Sequence, residues 1–505
     1  MATMEAAELR FTQFPNQVVS QPDGLQRVCF PIHDGDSRRW LRLTIVDVDK
    51  ATYQSWFSPH CYEAWAPVHN ALAALMDSGQ TPDVTDVVMT ADGTIVSTSS
   101  DVSKDVTPGT YYAPPDKYQL PSRSKVAAIP RDRLIELGRL APFTDIVAPV
   151  SSPSERLVFK HYEDDKVMTD VWYSIQVMAG MAGHPHLVPI RHLVVHEHSG
   201  GVVGFTMPFL AGGSLEATRA SRPFKLKWAQ QLFQTLDDLN LQHGIDHRDI
   251  RLRNLMVDPA TDNLVIIDLG VARRRGLRGG TCIPPAARHV QSGSVPLLPF
   301  LQPSSEEEAQ AAAANVDIGR DLDVNAAIVA VHDLVTRNPA DQSWATESGL
   351  WNGRGIDAIT AGPWTAHPDA RLDSPAEAFH AALTDWLRRR RADPRYPRGP
   401  STPLAFPKYM PIPRADRVRM LDYQDPLSTC ESKEPVAHVV VSGYDFYRRD
   451  ALRAGRAVVD WTRPLANALD PARTLLATGQ YAGEGEEKPT GDSSLPRKRR
   501  RCKSD

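Results

Sequence analysis

The stretch His247-Arg248-Asp249-Ile250-Arg251-Leu252-Arg253-Asn254, followed by Ile266-Ile267-Asp268-Leu269-Gly270, decides how this chain folds. Alone, His-Arg-Asp is a tripeptide that many proteins carry by chance. Here it follows Lys225 to Leu241, whose Trp228, Leu232, Leu236 and Leu239 have helical spacing. Asn254 stands five positions after Asp249, and Val265-Ile266-Ile267 reads as a short buried strand that delivers Asp268. Two carboxylates and an amide thus come from neighbouring loops. These groups accept protons and hold hard cations through oxygen.

Upstream, Leu157-Val158-Phe159 is an apolar strand ending in Lys160. Val171 to Met181 reads as a helix. Leu193-Val194-Val195 and Val202-Val203-Gly204-Phe205 read as strands joined through His196 to Gly201. Downstream, Val324 to Val335 is apolar and helical. Ser374-Pro375-Ala376-Glu377 has the form of a capping box, opening a helix that carries Phe379, Leu383, Trp386 and Leu387 on one face.

The central motifs resemble the catalytic loop and metal-binding motif of protein kinases, with Leu269 in place of the usual Phe. The pattern is similar to divergent fungal kinase-like proteins. The resemblance covers about residues 131–398, roughly half the chain. It implies an α+β fold of two lobes, a β-rich N-lobe and a helical C-lobe, with N- and C-terminal extensions. It also implies ATP and magnesium as the bound groups. Asp249 matches the catalytic base, Asn254 and Asp268 the metal ligands, and Lys160 the lysine on the α- and β-phosphates. Arg251 stands where Ser/Thr-directed members carry a lysine on the γ-phosphate; a guanidinium clamps phosphate with different reach, so the acceptor hydroxyl stays open. Met207-Pro208-Phe209-Leu210-Ala211-Gly212-Gly213-Ser214-Leu215 resembles the hinge, with the Pro208 carbonyl and Leu210 amide set for an adenine edge. Asp323 resembles the buried aspartate bracing the catalytic loop, and Pro368-Asp369-Ala370-Arg371 the late arginine motif.

Three departures stand beside these matches. The segment expected to cover the phosphates, Asp145 to Ser154, has two prolines and no glycine, so fewer amides can face a phosphate. Counting back from His184-Pro185 places Ser174 where the family has a glutamate paired with the strand lysine; Gln176 is a weaker candidate partner, and Glu163, Asp164 or Asp165 could substitute. After Gly270 come Arg273, Arg274, Arg275 and Arg278, then Thr281, Ser292 and Ser294, with Glu306, Glu307 or Glu308 for a missing Ala-Pro-Glu. The expected activity is a Ser/Thr-directed, ATP-dependent protein kinase. The alternatives are a pseudokinase that binds nucleotide or scaffolds partners, and a kinase-fold enzyme acting on a small molecule.

The remaining chain is less informative. In residues 1–130, Leu41, Leu43 and Ile45 alternate as a half-buried strand. Val87-Val88-Met89 and Thr94-Ile95-Val96 flank a hairpin turn, and Val68 to Met76 reads as a helix. Residues 98–125 read as a linker or loop. Residues 399–480 form a second extension, with a strand expected at Val436 to Val441 and a helix at Leu465 to Leu476. Residues 481–505 read as a disordered tail whose Pro496-Arg497-Lys498-Arg499-Arg500-Arg501-Cys502-Lys503 has the density of a nuclear-import signal. An import receptor is therefore an expected partner, and the compartment is read as nucleus or cytoplasm, leaning nuclear.

With 42% hydrophobic and 23% charged residues and a net charge of -4, the 505-residue chain shows no bias toward nucleic acid or membrane. No apolar run reaches the ~18 residues of a membrane span, and Met1 to Glu8 lacks a signal-peptide pattern, so an intracellular chain is expected. Cys29, Cys61, Cys282, Cys430 and Cys502 are scattered, without a disulfide or zinc pattern. His184, His186, His192, His196 and His198 read as ordinary rather than metal-binding histidines.

Overall fold

The computed structural model describes residues 10–13, 17–20, 26–37, 39–56, 61–78, 84–101, 114–121, 124–141, 143–162, 165–196, 200–274, 322–337, 359–398 and 400–404, with two short strands at 420–421 and 439–440. The helix expected at 465–476, the basic tail, the serines and threonine after Arg274 and Glu306 to Glu308 lie outside them. Glu163, Asp164, Glu197 and His198 do too.

The first unit is a six-stranded sheet. Its strands are Phe11–Gln13 (β1), Gln17–Ser20 (β2), Gln26–Asp34 (β3), Arg39–Val48 (β4), Asp86–Thr90 (β5) and Ile95–Ser99 (β6). The order is β1-β3-β4-β5-β6, with β2 also on β3. β4 and β5 run parallel, and the crossover between them is helix α1 (Lys50–Ser55) and helix α2 (Cys61–Asp77). Asp49 caps α1 by accepting from Thr52 N at 2.6 Å. α2 begins at Cys61 rather than near Val68: Pro67 lies inside it, and proline is ordinarily a stop signal. β4 is buried in succession from Trp40 to Ile45, not half-buried as its alternation suggests. Its polar Arg42 and Thr44 are inside because Arg42 Nε meets the Asp86 carboxylate at 2.6 Å. The core between sheet and helices is aromatic, with Trp65 stacked on Trp56 at 4.8 Å and edge-on to Phe30 at 5.0 Å.

The second unit is another six-stranded sheet, ordered β7-β11-β12-β10-β9-β8. Its strands are Ala127–Pro130 (β7), Leu134–Ala141 (β8), Thr144–Pro149 (β9), Leu157–His161 (β10), His192–Val195 (β11) and Val202–Pro208 (β12). Only β7 pairs in parallel, with β11. Helix α3 (Asp165–Gly180) connects β10 to β11.

From Val171 to Gly180, all of α3 except Tyr173 is buried, which follows from packing on several sides. Tyr118, in the stretch expected to be a linker, is fully buried with its ring 4.5 Å from Trp172. Gln176 Nε2 donates to the Tyr118 carbonyl at 2.5 Å. At the other end, a β-carbon on Gly180 would overlap the Leu404 side chain, so that helix turn lies directly under the chain's later segment. Tyr118 and Leu404 therefore hold α3 from outside the sheet.

Beyond β12 the described chain is mainly helical: α4 (Leu215–Thr218), α5 (Leu226–Asp237), α6 (Leu322–Thr336) and α7 (Ala376–Ala392). The hairpin of β14 (Leu255–Asp258) and β15 (Asn263–Ile266) and the short pair β13 (Ile245–Asp246) and β16 (Arg273–Arg274) lie among them. The mixed architecture read from the sequence, β-rich first and helical after, is present. Aromatic stacking joins α5 to α7 through Phe233 and Trp386 at 4.4 Å. None of the described helices is long and apolar enough to cross a membrane.

The turn between β3 and β4 reaches the second sheet. Asp36 forms an ion pair with Arg139 of β8, and His33 lies 5.5 Å from the Phe143 ring. Asp36 also sits 3.4 Å from Arg10, which clasps Asp34 at 2.8 Å and Asp77 at 2.8 Å.

Candidate active site

The loop from His247 to Asn254 is held by one buried carboxylate. Asp323, 3% exposed in the first turn of α6, accepts from His247 N and Arg248 N at 2.7 Å each, and from Asn240 Nδ2 at 3.0 Å. This bracing was expected of Asp323. It matters because Arg248 has φ +68, a left-handed conformation that a side chain with a β-carbon adopts only where its surroundings enforce it. Behind Asp323 the support continues to α7. Arg390 Nη2 donates to Asn240 Oδ1 at 2.7 Å, and its other nitrogen pairs with Asp237.

His247 joins the loop to the strand that delivers Asp268. Its Nδ1 accepts from Asp249 N at 3.2 Å, so Nε2 carries the proton and donates to the Ile267 carbonyl at 3.0 Å. Ile267 N donates to the Asn254 carbonyl at 3.0 Å. Asp268 itself has φ +64, so a second strained residue sits beside the first.

These bonds bring the expected residues together. Asn254 Nδ2 donates to Asp249 Oδ2 at 2.8 Å and to the Asp249 carbonyl at 2.9 Å. Its amide nitrogen is thereby committed, and the side-chain oxygen faces away from Asp249. Asp249 Oδ1 is buried and accepts no hydrogen bond among the described residues, although Arg251 Nε lies 2.7 Å away, out of line. Lys160 forms an ion pair with Asp268. Burial opposes both charges, but each partner more than offsets it for the other. Asp268 holds the Lys160 ammonium above its usual range, and Lys160 holds the Asp268 carboxyl down at about 2.

The pair leaves a signature in how stability varies with pH. A depressed carboxyl contributes stability above its ordinary 3.8 and loses it as pH falls through about 2. A raised lysine contributes below its ordinary 10.5 and loses it only above. The stability difference between wild type and Asp268→Asn should therefore be flat from about pH 5 to 9 and close toward pH 2. Chemical denaturation across that range measures it; a difference already shrinking between about pH 7 and 5 would contradict the assignment.

Ser174 stands where the count from His184-Pro185 placed it. Its Oγ and Lys160 Nζ each lie 4.0 Å from the point where a β-carbon on Gly270 would sit, and Asp268 Oδ1 lies 3.2 Å from it. Gly270 thus leaves room for the lysine, the carboxylate and the serine to gather. Gln176, expected as a weaker partner for Lys160, is turned away to Tyr118, and the partner the lysine does have is Asp268.

The expected position of the phosphate-covering segment is corrected. Register places Lys160 opposite Thr144, so the turn nearest the lysine is the one before β9, around Ala141 to Phe143. Asp145 to Pro149 are strand β9, and Val150 to Ser154 turn at its far end. The hairpin β8–β9 carries one glycine, Gly138, at a bulge, and Phe143 at φ +58 near its tip. Phe143 is wedged between His33 and His161, with its carbonyl bonded to His161 N at 2.9 Å. The tip is thus anchored by the N-terminal sheet, a role that sequence reading missed.

At the hinge, β12 ends at Pro208, and Phe209 N donates to the Arg156 carbonyl at 3.2 Å. Leu210 N donates no backbone hydrogen bond among the described residues. A β-carbon on Gly212 would overlap the Val257 carbonyl, which is why the chain needs glycine where it crosses β14. Of the histidine run, His184 lies 3.3 Å from Asp238, His186 3.0 Å from the Leu264 carbonyl and His192 2.9 Å from Thr206. No group of three or more His, Cys, Asp or Glu among the described residues is arranged to hold a metal.

The donor set that could hold one is Asp268 with Asn254. One carboxylate and one amide oxygen suit magnesium, which keeps most of its ligands as water and phosphate. The arrangement therefore combines a proton acceptor, a paired lysine and a hard-cation oxygen set.

No family model matches the chain, and no curated protein does. Among solved structures, it is similar to the Cydia pomonella granulovirus kinase PK-1 at 16% identity and a TM-score of 0.31. That match covers 50% of this chain and 88% of the viral one. At that TM-score the likeness decides nothing about this chain, whose own distances carry the site.

Proposed function

We propose that the chain is a divergent protein kinase, with a β-rich lobe and a helical lobe, which transfers the γ-phosphate of ATP to a protein hydroxyl. The observation that carries this reading is the gathering of Lys160, Asp249, Asn254 and Asp268 in one hydrogen-bonded unit. Asp249 accepts the acceptor's proton. Arg251 keeps a cation beside that carboxylate, and Asn254 fixes its orientation. Lys160 meets phosphate oxygens, and the Pro208 carbonyl and Leu210 amide meet the adenine edge. Asp268 and Asn254 would hold magnesium, which screens the phosphate charge when bound.

A pseudokinase reading is favoured by one observation: Lys160 is paired with the metal-ligand candidate itself, because Ser174 offers no charge. This suggests a repair. Ser174→Glu should give Lys160 a second partner, release Asp268, and tighten magnesium-dependent ATP binding by about tenfold, or ~1.4 kcal/mol. Calorimetric titration reads the change; unaltered or weaker binding in a folded variant would count against the arrangement.

The activity is tested by incubating the full chain with γ-labelled ATP, magnesium and mixed protein acceptors. Magnesium-dependent label on protein supports the kinase reading. Label at the level of a magnesium-free control rejects it.

A further inference from the structure

The proposed acceptor position is ringed by arginines. Arg251 Nε lies 2.7 Å from Asp249 Oδ1, and Arg253 Nη2 lies 4.0 Å from Asp249 Oδ2. The Arg251 side chain is 5% exposed, whereas that of Arg253 is 38% exposed. Arg253, Arg219 and Arg251 all act electrostatically on Glu216 of α4, and Arg251 and Arg253 also flank Asp249. Arg219 also lines a small cavity behind α4 with Arg222 and Arg371. Asp373, the nearby acid, is spent on capping α5, where it accepts from Leu226 N at 2.9 Å. Positive charge therefore continues from the acceptor position along α4 rather than stopping at one point.

We infer that the acceptor is a hydroxyl residue within an acidic peptide segment, whose carboxylates lie against Arg253 and then along Arg219 and Arg222. This rests on the kinase reading for the acceptor's chemistry, but not for the binding surface. A single small anion would satisfy one arginine; a strip of them matches several successive acids. Charge pairing of this exposed kind sets preference and weakens as salt rises.

The test uses the full chain and three fluorescent peptides with the same central serine, flanked by Glu, Ala or Lys, followed by polarisation. The Glu peptide should bind at least about tenfold tighter than the Ala peptide, and the Lys peptide weakest. Arg253→Glu should abolish or reverse that order, whereas Arg253→Lys keeps it, with melting curves showing both variants folded. Equal binding of the Glu and Ala peptides, no binding of any, or an order that survives Arg253→Glu overturns the inference. Transfer of label to the bound peptide is read separately: preferential binding without any transfer counts against the kinase reading and leaves the acidic surface standing.

Discussion

Asp249→Asn should lower phosphate transfer by about 10²–10⁴-fold while leaving the fold and the affinity for ATP almost unchanged. The substitution is nearly isosteric, so its oxygen can still accept from Asn254 Nδ2, as Asp249 Oδ2 does at 2.8 Å. What disappears is the basic oxygen. An amide cannot take a proton from the acceptor hydroxyl, and it gives Arg251 no charge to face. Asp249 makes no direct contact in the Lys160–Asp268 ion pair, so the nucleotide side of the site should keep its geometry. Initial rates with saturating acceptor, over a series of ATP concentrations, give the answer. A rate within about tenfold of wild type would mean that some other group removes the proton.

Asp323→Ala should be the most destabilising single change at the site. His247 N and Arg248 N lose their acceptor together, while Asn240 Nδ2 loses one of its acceptors and keeps the Ile245 carbonyl at 2.7 Å. Each buried, unsatisfied donor costs about 1–3 kcal/mol. The left-handed Arg248 backbone, worth roughly 1–3 kcal/mol of strain, would also lose the bonds that enforce it. The two orphaned backbone donors give a loss of roughly 2–6 kcal/mol, a large part of the ~5–15 kcal/mol by which domains are stable. Asp323→Asn retains one acceptor oxygen and should lose about half as much. Denaturant midpoints of the three proteins provide the measurement, and a loss under about 1 kcal/mol for Asp323→Ala would show that the loop is held elsewhere.

How much of this was legible beforehand follows from how local each feature is. The loop from His247 to Asn254, the strand into Asp268 and the apolar helix behind Asp323 are written in short spacings of apolar and polar residues. Those spacings were enough to bring Asp249, Asn254 and Asp268 together. Lys160 was placed by strand pattern, and Ser174 by a count along one helix. Features that depend on pairing across long separations were not readable. Local pattern points to Asp145 to Ser154 for the hairpin over the lysine, because only the register of Lys160 opposite Thr144 reveals which turn is nearest. Tyr118 sits in a Ser-, Pro- and Asp-rich stretch that has the composition of a linker, yet it is buried against Trp172. The Asp36–Arg139 pair spans 103 positions and carries no local signal in either partner. Pro67 hid the first two turns of α2, since proline in a helix interior is ordinarily costly.

One consequence concerns the helix that carries Ser174. Tyr118 and Leu404 hold it from the N-terminal and C-terminal sides of the central unit, and Gln176 is bonded to the first of them. A lysine that lacks a glutamate partner is therefore not explained by a displaced helix. The helix is seated, and from Val171 to Gly180 its sequence carries no acid. Asp268 takes the lysine in its place.

On the proposed reading, Lys160, Asp268 and Asn254 form a site for a magnesium-bound triphosphate. Calorimetric titration of the full chain with ATP, with and without magnesium, tests it most directly when Asp268→Asn is run alongside. Binding should strengthen with magnesium in the wild type and no longer respond to the metal in the variant. Absence of ATP binding, or binding indifferent both to magnesium and to Asp268, would contradict it.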